Sequence, residues 1–168
     1  METLILRLHT SDVNACIPGF GEDADLPSSD AMFAKPPVKP LEVEEYNNMR
    51  ARSRNDGLDL DHLPSRKALE WHVKNTFTDI SYVEFRALML QAICIAIPSS
   101  VHQKYSETYG GRNTTERQKI DSADLKAAVN RNFDAIKVGL REQGYEEIEV
   151  EAARQQLHES NIKQGWYK

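Results

Sequence analysis

The strongest constraint on the fold is a pair of short apolar segments, each closed by a proline and each followed by a histidine or carrying one. Leu58-Asp59-Leu60-Asp61-His62-Leu63-Pro64 alternates apolar and polar side chains with period two, the pattern of a half-buried strand. Some forty residues on, Ile93-Cys94-Ile95-Ala96-Ile97-Pro98 is a continuous apolar run rich in β-branched residues. It reads as a buried strand that stops at proline. Ser99 then caps a short helix carrying His102. Carboxylate and imidazole therefore gather at the end of the first strand, and a second imidazole follows the end of the other.

Between the two strands the pattern becomes helical. Ser65 caps a helix over residues 66–75, and Asp79 or Ser81 caps a second one reaching Gln91. In that second helix Tyr82, Phe85, Leu88 and Met89 recur near helical spacing and are expected in the core. Tyr109-Gly110-Gly111-Arg112-Asn113 is a turn. Asp121 or Ser122 opens a long helix stopped by Gly144. A last helix with an acidic front, favoured by the helix dipole, spans about 146–160. Ahead of all this, residues 1–41 hold one candidate strand, Thr3–Leu8. They are then interrupted by Pro18-Gly19, Pro27 and the cluster Pro36-Pro37-Val38-Lys39-Pro40, too often for a packed element. A modest helix is expected from Glu42 to about Arg52. The reading is an N-terminal linker or adapter over 1–48 and a functional domain over 49–168.

Composition is that of a globular domain, 40% hydrophobic and 28% charged over 168 residues. The run from Ala92 to Ile97 is far too short to span a bilayer, which needs about 20 apolar residues. No leader peptide is recognisable after Met1-Glu2. Cys16 and Cys94 make neither a disulfide framework nor a zinc knuckle. The net charge of −5 is unevenly spread: residues 1–48 carry three basic and nine acidic side chains, whereas residues 49–145 carry 15 basic and 12 acidic. Phosphate binding depends on local positive charge, so the histidine-bearing segment permits a nucleic-acid substrate.

Mixed carboxylate and imidazole are the groups of metal-assisted hydrolysis, in which one holds a cation and the other takes a proton from water. Asp56, Asp59 and Asp61 alternate as in a calcium loop, but the glycine is misplaced and no glutamate stands at the twelfth position, so an EF-hand is not expected. Gly110-Gly111-Arg112 neither follows a strand nor opens a helix with lysine, so it is a turn and not a phosphate cradle.

Asp61-His62-Leu63-Pro64, Ile95 to His102 and Ser106 to Asn113 together resemble the His-Me finger (HNH and endonuclease VII-like) nucleases, particularly the toxin domains of bacterial polymorphic toxins. The resemblance covers about residues 55–115. It implies an α+β, mostly helical fold around a small two-stranded ββα-metal core. It makes His62 the general base, with Arg112 stabilising the transition state, and it makes Asp61, His102 and Asn113 ligands of a divalent cation (Mg²⁺, Mn²⁺ or Zn²⁺). About thirty residues of helix separate the two halves here, and the second half has one histidine where the family often has two. The implied activity is a metal-dependent endonuclease acting on DNA, with RNA left open. The implied setting is a secreted antibacterial effector, delivered on a secretion-system carrier by a leaderless route into the target-cell cytoplasm and neutralised in the producer by a cognate immunity protein. Two readings compete. In one, Asp61-His62 is a capping pair and the helices bind a protein partner; in the other, the hydrolase has a different substrate.

Overall fold

The computed structural model describes residues 35–168, of which Pro37–Lys168 form one compact unit. The expected strand Thr3–Leu8 and the punctuated lead up to residue 34 lie outside the described residues. The elements are β1 (Val43–Glu45), α1 (Tyr46–Arg52), β2 (Leu58–His62), α2 (Arg66–Thr76), α3 (Tyr82–Gln91), β3 (Ile93–Pro98), α4 (Ser99–Tyr105), a 3-10 turn (Gly110–Arg112), α5 (Thr115–Ala123), α6 (Leu125–Glu142) and α7 (Glu147–Lys163). The fold is α+β and mostly helical, as expected.

The sheet has three strands where two were expected. Its order is β1-β3-β2, and β3 pairs antiparallel with both neighbours. The third strand comes from Val43–Glu45, read from sequence as the start of a helix. The helix begins only at Tyr46, so the boundary drawn at residues 48/49 falls inside α1. Three residues are too few to display a strand period, which is why β1 was missed.

Central β3 has helices on both sides, and its sequence shows how. Ile93, Ile95 and Ile97 join a core with Val129, Phe133, Ile136 and Leu140 of α6 and Val150, Ala153 and Leu157 of α7. Cys94 and Ala96, on the opposite face, lie in a smaller cluster with Val38 and Met49 of α1. Alternation of large and small side chains along β3 thus matches a thick layer on one face and a closely approaching helix on the other.

The register transmits this division to β2. Asp59 lies opposite Ile97 and Asp61 opposite Ile95, whereas Leu60 lies opposite Ala96 and His62 opposite Cys94. Directly paired residues share a face. Asp59 and Asp61 are therefore directed to the α4/α6/α7 side, and His62 to the α1 side, where its ring meets that of Tyr46 at 4.7 Å.

Local capping follows the sequence closely. Ser65 Oγ accepts from the Ala68 amide at 3.2 Å, and Ser81, rather than Asp79, forms a capping box with Glu84. Leu88 and Met89 are buried as expected, but Tyr82 is 72% exposed and belongs to no core. Helix α5 was not anticipated; Thr114 caps it, and the long helix starts later, after Asp124. The turn after β2 contains a cis Leu63–Pro64 peptide. Asn161 of α7 ties that turn down, its amide donating to the Leu63 carbonyl at 3.0 Å.

Candidate active site

A pocket of about 250 Å³ opens at the end of β2. Asp61, His62, His102 and Asn113 all line it, together with Ser65, Arg66, Lys67, Thr108 and Tyr109. Three chain segments converge here. β2 supplies Asp61 and His62, α4 supplies His102 one turn after β3, and the loop beyond α4 supplies Thr108, Tyr109 and Asn113.

Asp61 is 4% exposed and well held. Ser106 Oγ donates to its Oδ2 at 3.0 Å and Thr108 Oγ1 to its Oδ1 at 3.3 Å. His102 Nε2 stands 3.5 Å from Asp61 Oδ1, while its Nδ1 lies 2.8 Å from Asp59 Oδ2. Burial by itself would lower the pKa of His102, but hydrogen bonding and charge from Asp61, with Asp59 adding to both, raise it above the ordinary histidine value. Asp59 responds in the opposite direction: burial opposes ionisation, yet the His102 and Ser99 hydrogen bonds hold its carboxyl below the usual range.

His62 is a different histidine. Burial pushes its pKa down to about 4; Asp61 counters this, and the charges of Arg66 and His102 add to it. Its imidazole is therefore neutral near pH 7, and its Nε2 is buried with no hydrogen-bond partner. The Asn113 side-chain oxygen is likewise buried and unpartnered. Both residues line the pocket.

Arg112, expected at the site, is placed elsewhere. It does not line the pocket. Its guanidinium donates to the main-chain oxygens of Ser106 (2.9 Å), Gln103 (2.5 Å) and Lys104 (3.4 Å), closing the C-terminal end of α4. Helix ends leave carbonyls unsatisfied, and a cation there answers both the hydrogen bonds and the dipole. The cations at the pocket itself are Arg66 and Lys67, both of which also pair with Glu70.

Ser99 also departs from expectation. It opens α4 without capping it, and its hydroxyl donates instead to Asp59 Oδ1 at 2.7 Å. Sequence reasoning weighed Asp59 only as part of a calcium loop. The same period-two alternation that marked β2 puts Asp59 on one face with Asp61, and that signal could have found it. Ser106 and Thr108 carried no comparable signal, because their role depends on how the loop folds back.

The donor set can be tested against a divalent cation. Two ligand atoms bound to one ion at about 2.1 Å stand roughly 3–4 Å apart, depending on the angle between them. The 3.5 Å between Asp61 Oδ1 and His102 Nε2 fits that range. Asn113, whose side-chain oxygen is buried and unpartnered, is a further lining residue with a neutral oxygen to offer. Among the described residues no three His, Cys, Asp or Glu side chains form a ligand cluster. Asp59 is turned to the far nitrogen of His102. A set of carboxylate, imidazole and amide completed by water suits a hard or borderline ion.

Fold and pocket define an α+β domain whose central antiparallel sheet presents a carboxylate–imidazole cluster at a strand end. Over 133 residues, 78% of this chain, the sequence is 35% identical to Deoxyribonuclease CdiA of Dickeya dadantii (strain 3937). The chain spans about 4% of the length of that relative. No family model matches the chain, and no solved structure matches it significantly.

Proposed function

We propose that this chain is a nuclease domain that hydrolyses DNA with the help of a divalent cation, as the toxin portion of a secreted antibacterial effector. The observation that carries the reading is the pocket at the end of β2, where Asp61 Oδ1 and His102 Nε2 stand 3.5 Å apart and which His62 and Asn113 also line. The similarity to a deoxyribonuclease supports DNA as the substrate.

Asp61, His102 and Asn113 would hold the cation, which supplies charge for the phosphate oxygens and the leaving alkoxide. His62, kept neutral by burial, accepts the proton of the attacking water on its free Nε2. Arg66 and Lys67 at the pocket wall position the phosphate backbone. Ser106 and Thr108 keep Asp61 in place so that its charge need not reorganise. To act as a ligand His102 would have to be without its Nε2 proton, so its raised pKa would weaken metal binding as pH falls. This division of labour follows the His-Me finger scheme, with β2, β3 and α4 as its ββα unit. Delivery on a larger carrier into the target-cell cytoplasm, and a cognate immunity protein in the producer, belong to the same proposal.

The deciding experiment incubates purified protein with supercoiled DNA, with and without chelator, and restores Mg²⁺, Mn²⁺ or Zn²⁺ in turn. We expect cleavage that the chelator stops and at least one of these ions restores. DNA left whole under every ion refutes the reading. RNA in a parallel incubation separates the two polynucleotides.

A further inference from the structure

A histidine can present its Nε2 lone pair to a site only while the proton of the neutral ring sits on Nδ1, and something must keep it there. For His102 that group is Asp59. Its Oδ2 lies 2.8 Å from Nδ1, a good hydrogen bond, whereas the contact of Asp61 with Nε2 is longer and weaker at 3.5 Å. The second oxygen of Asp59 accepts from Ser99 Oγ at 2.7 Å, so the carboxylate is gripped from β3's end while it grips the ring. Both oxygens are thereby occupied, and neither faces the pocket, whose lining omits Asp59. Tyr109 packs edge-on against the imidazole at 4.9 Å and limits its rotation from the other side.

We propose that Asp59 is a positioning residue, holding His102 as the Nδ1–H tautomer so that Nε2 faces Asp61 across the pocket. The consequence for metal binding rests on the cation reading above. Partners of this kind, one shell behind a ligand, commonly set metal affinity by 10–100-fold. Asp59 and Ser99 would thus extend the site to the strand–helix junction, and β2 would contribute both a ligand and the support for a ligand on another element.

The test uses the full chain and two variants, Asp59→Ala and Asp59→Asn, the second preserving shape should the first disturb the fold. The first readout is the tautomer of His102 in the metal-free protein, from long-range proton–nitrogen-15 correlation at alkaline pH where the ring is neutral. We expect Nδ1–H in the parent, loss of that preference in Asp59→Ala and a smaller shift in Asp59→Asn, whose amide oxygen can still accept. The second readout is Mn²⁺ affinity by calorimetry, expected to fall about 10–100-fold in Asp59→Ala and less in Asp59→Asn. If the parent binds Mn²⁺, either readout unmoved in both variants overturns the proposal. A parent that binds no Mn²⁺, nor Mg²⁺ nor Zn²⁺, overturns the cation reading instead. The tautomer alone then decides Asp59: lost in Asp59→Ala it supports the positioning role, and retained it refutes that role.

Discussion

Gly139 of α6 meets Tyr105 of α4 so closely that a Cβ on the glycine would lie 2.4 Å from the tyrosine Cδ2 and 3.1 Å from its Cγ. Absence of a side chain at this one position lets α4, the helix that carries His102, sit down on α6. The Tyr105 hydroxyl then donates to Glu142 further along the same helix. Placement of a site imidazole depends in this way on a glycine far from it in sequence.

Gly139→Ala should therefore lower stability by about 1–3 kcal/mol through overpacking. The better helix propensity of alanine returns only about 0.5–1 kcal/mol of that. Urea unfolding followed by circular dichroism measures the net loss. Cleavage should fall as well, because α4 shifts relative to β2. A variant as stable and active as the parent would show that Tyr105 simply swings away.

His62→Ala is expected to lower the cleavage rate 10²–10⁴-fold, the usual loss for a general base. In cells without an immunity protein it should no longer be toxic. Circular dichroism and a thermal melt must accompany the assay, since the ring also packs on Tyr46. A folded variant that cuts like the parent removes His62 from the mechanism.

Stability should peak near pH 6.5 as far as these two histidines control it. The native His62 pKa of about 4 lies below the ordinary 6.5, so the unfolded chain binds more protons between those values. Its contribution is present above pH 6.5 and lost as pH falls toward 4, to a limit of about 3 kcal/mol. His102 has the opposite sign. Its raised value means that its contribution is complete below pH 6.5 and fades as pH rises through the native pKa. Urea titrations across pH should show the acid limb flattened in His62→Gln and the alkaline limb flattened in His102→Gln. Parallel curves for parent and variants would contradict both shifts.

Arg112→Ala and the pair Arg66→Gln/Lys67→Gln should separate support from substrate binding. Arg112 satisfies three carbonyls, and its loss should cost stability by about 1.5–3 kcal/mol, the range for hydrogen bonds to a charged group. The double variant should barely change the melt. It should weaken DNA binding, with a salt dependence shallower by up to about two counterions. Fluorescence anisotropy at several salt concentrations reads the slope. An unchanged slope would take these cations away from the phosphate backbone.

Much of this protein was decided locally and can be read in order along the chain. The period-two run at Leu58–Leu63, the β-branched segment at Ile93–Ile97 and the caps at Ser65 and Ser81 define their elements from nearest neighbours, because alternation and capping are short-range effects. The same patterns put Asp61 and His62 at one strand end and His102 after another. What the sequence could not decide is which groups those side chains meet. β1 exists because β3 has a second edge to fill, and no signal in Val43–Glu45 announces that. Arg112 closes the end of α4 because the loop after that helix folds its guanidinium back onto three carbonyls. Ser99 turned from capping to Asp59, and Asp59 to His102, through contacts across some forty residues. Hydrogen bonds have a reach of about 3 Å, so partners distant in sequence are chosen only when packing brings β2, β3 and α4 together.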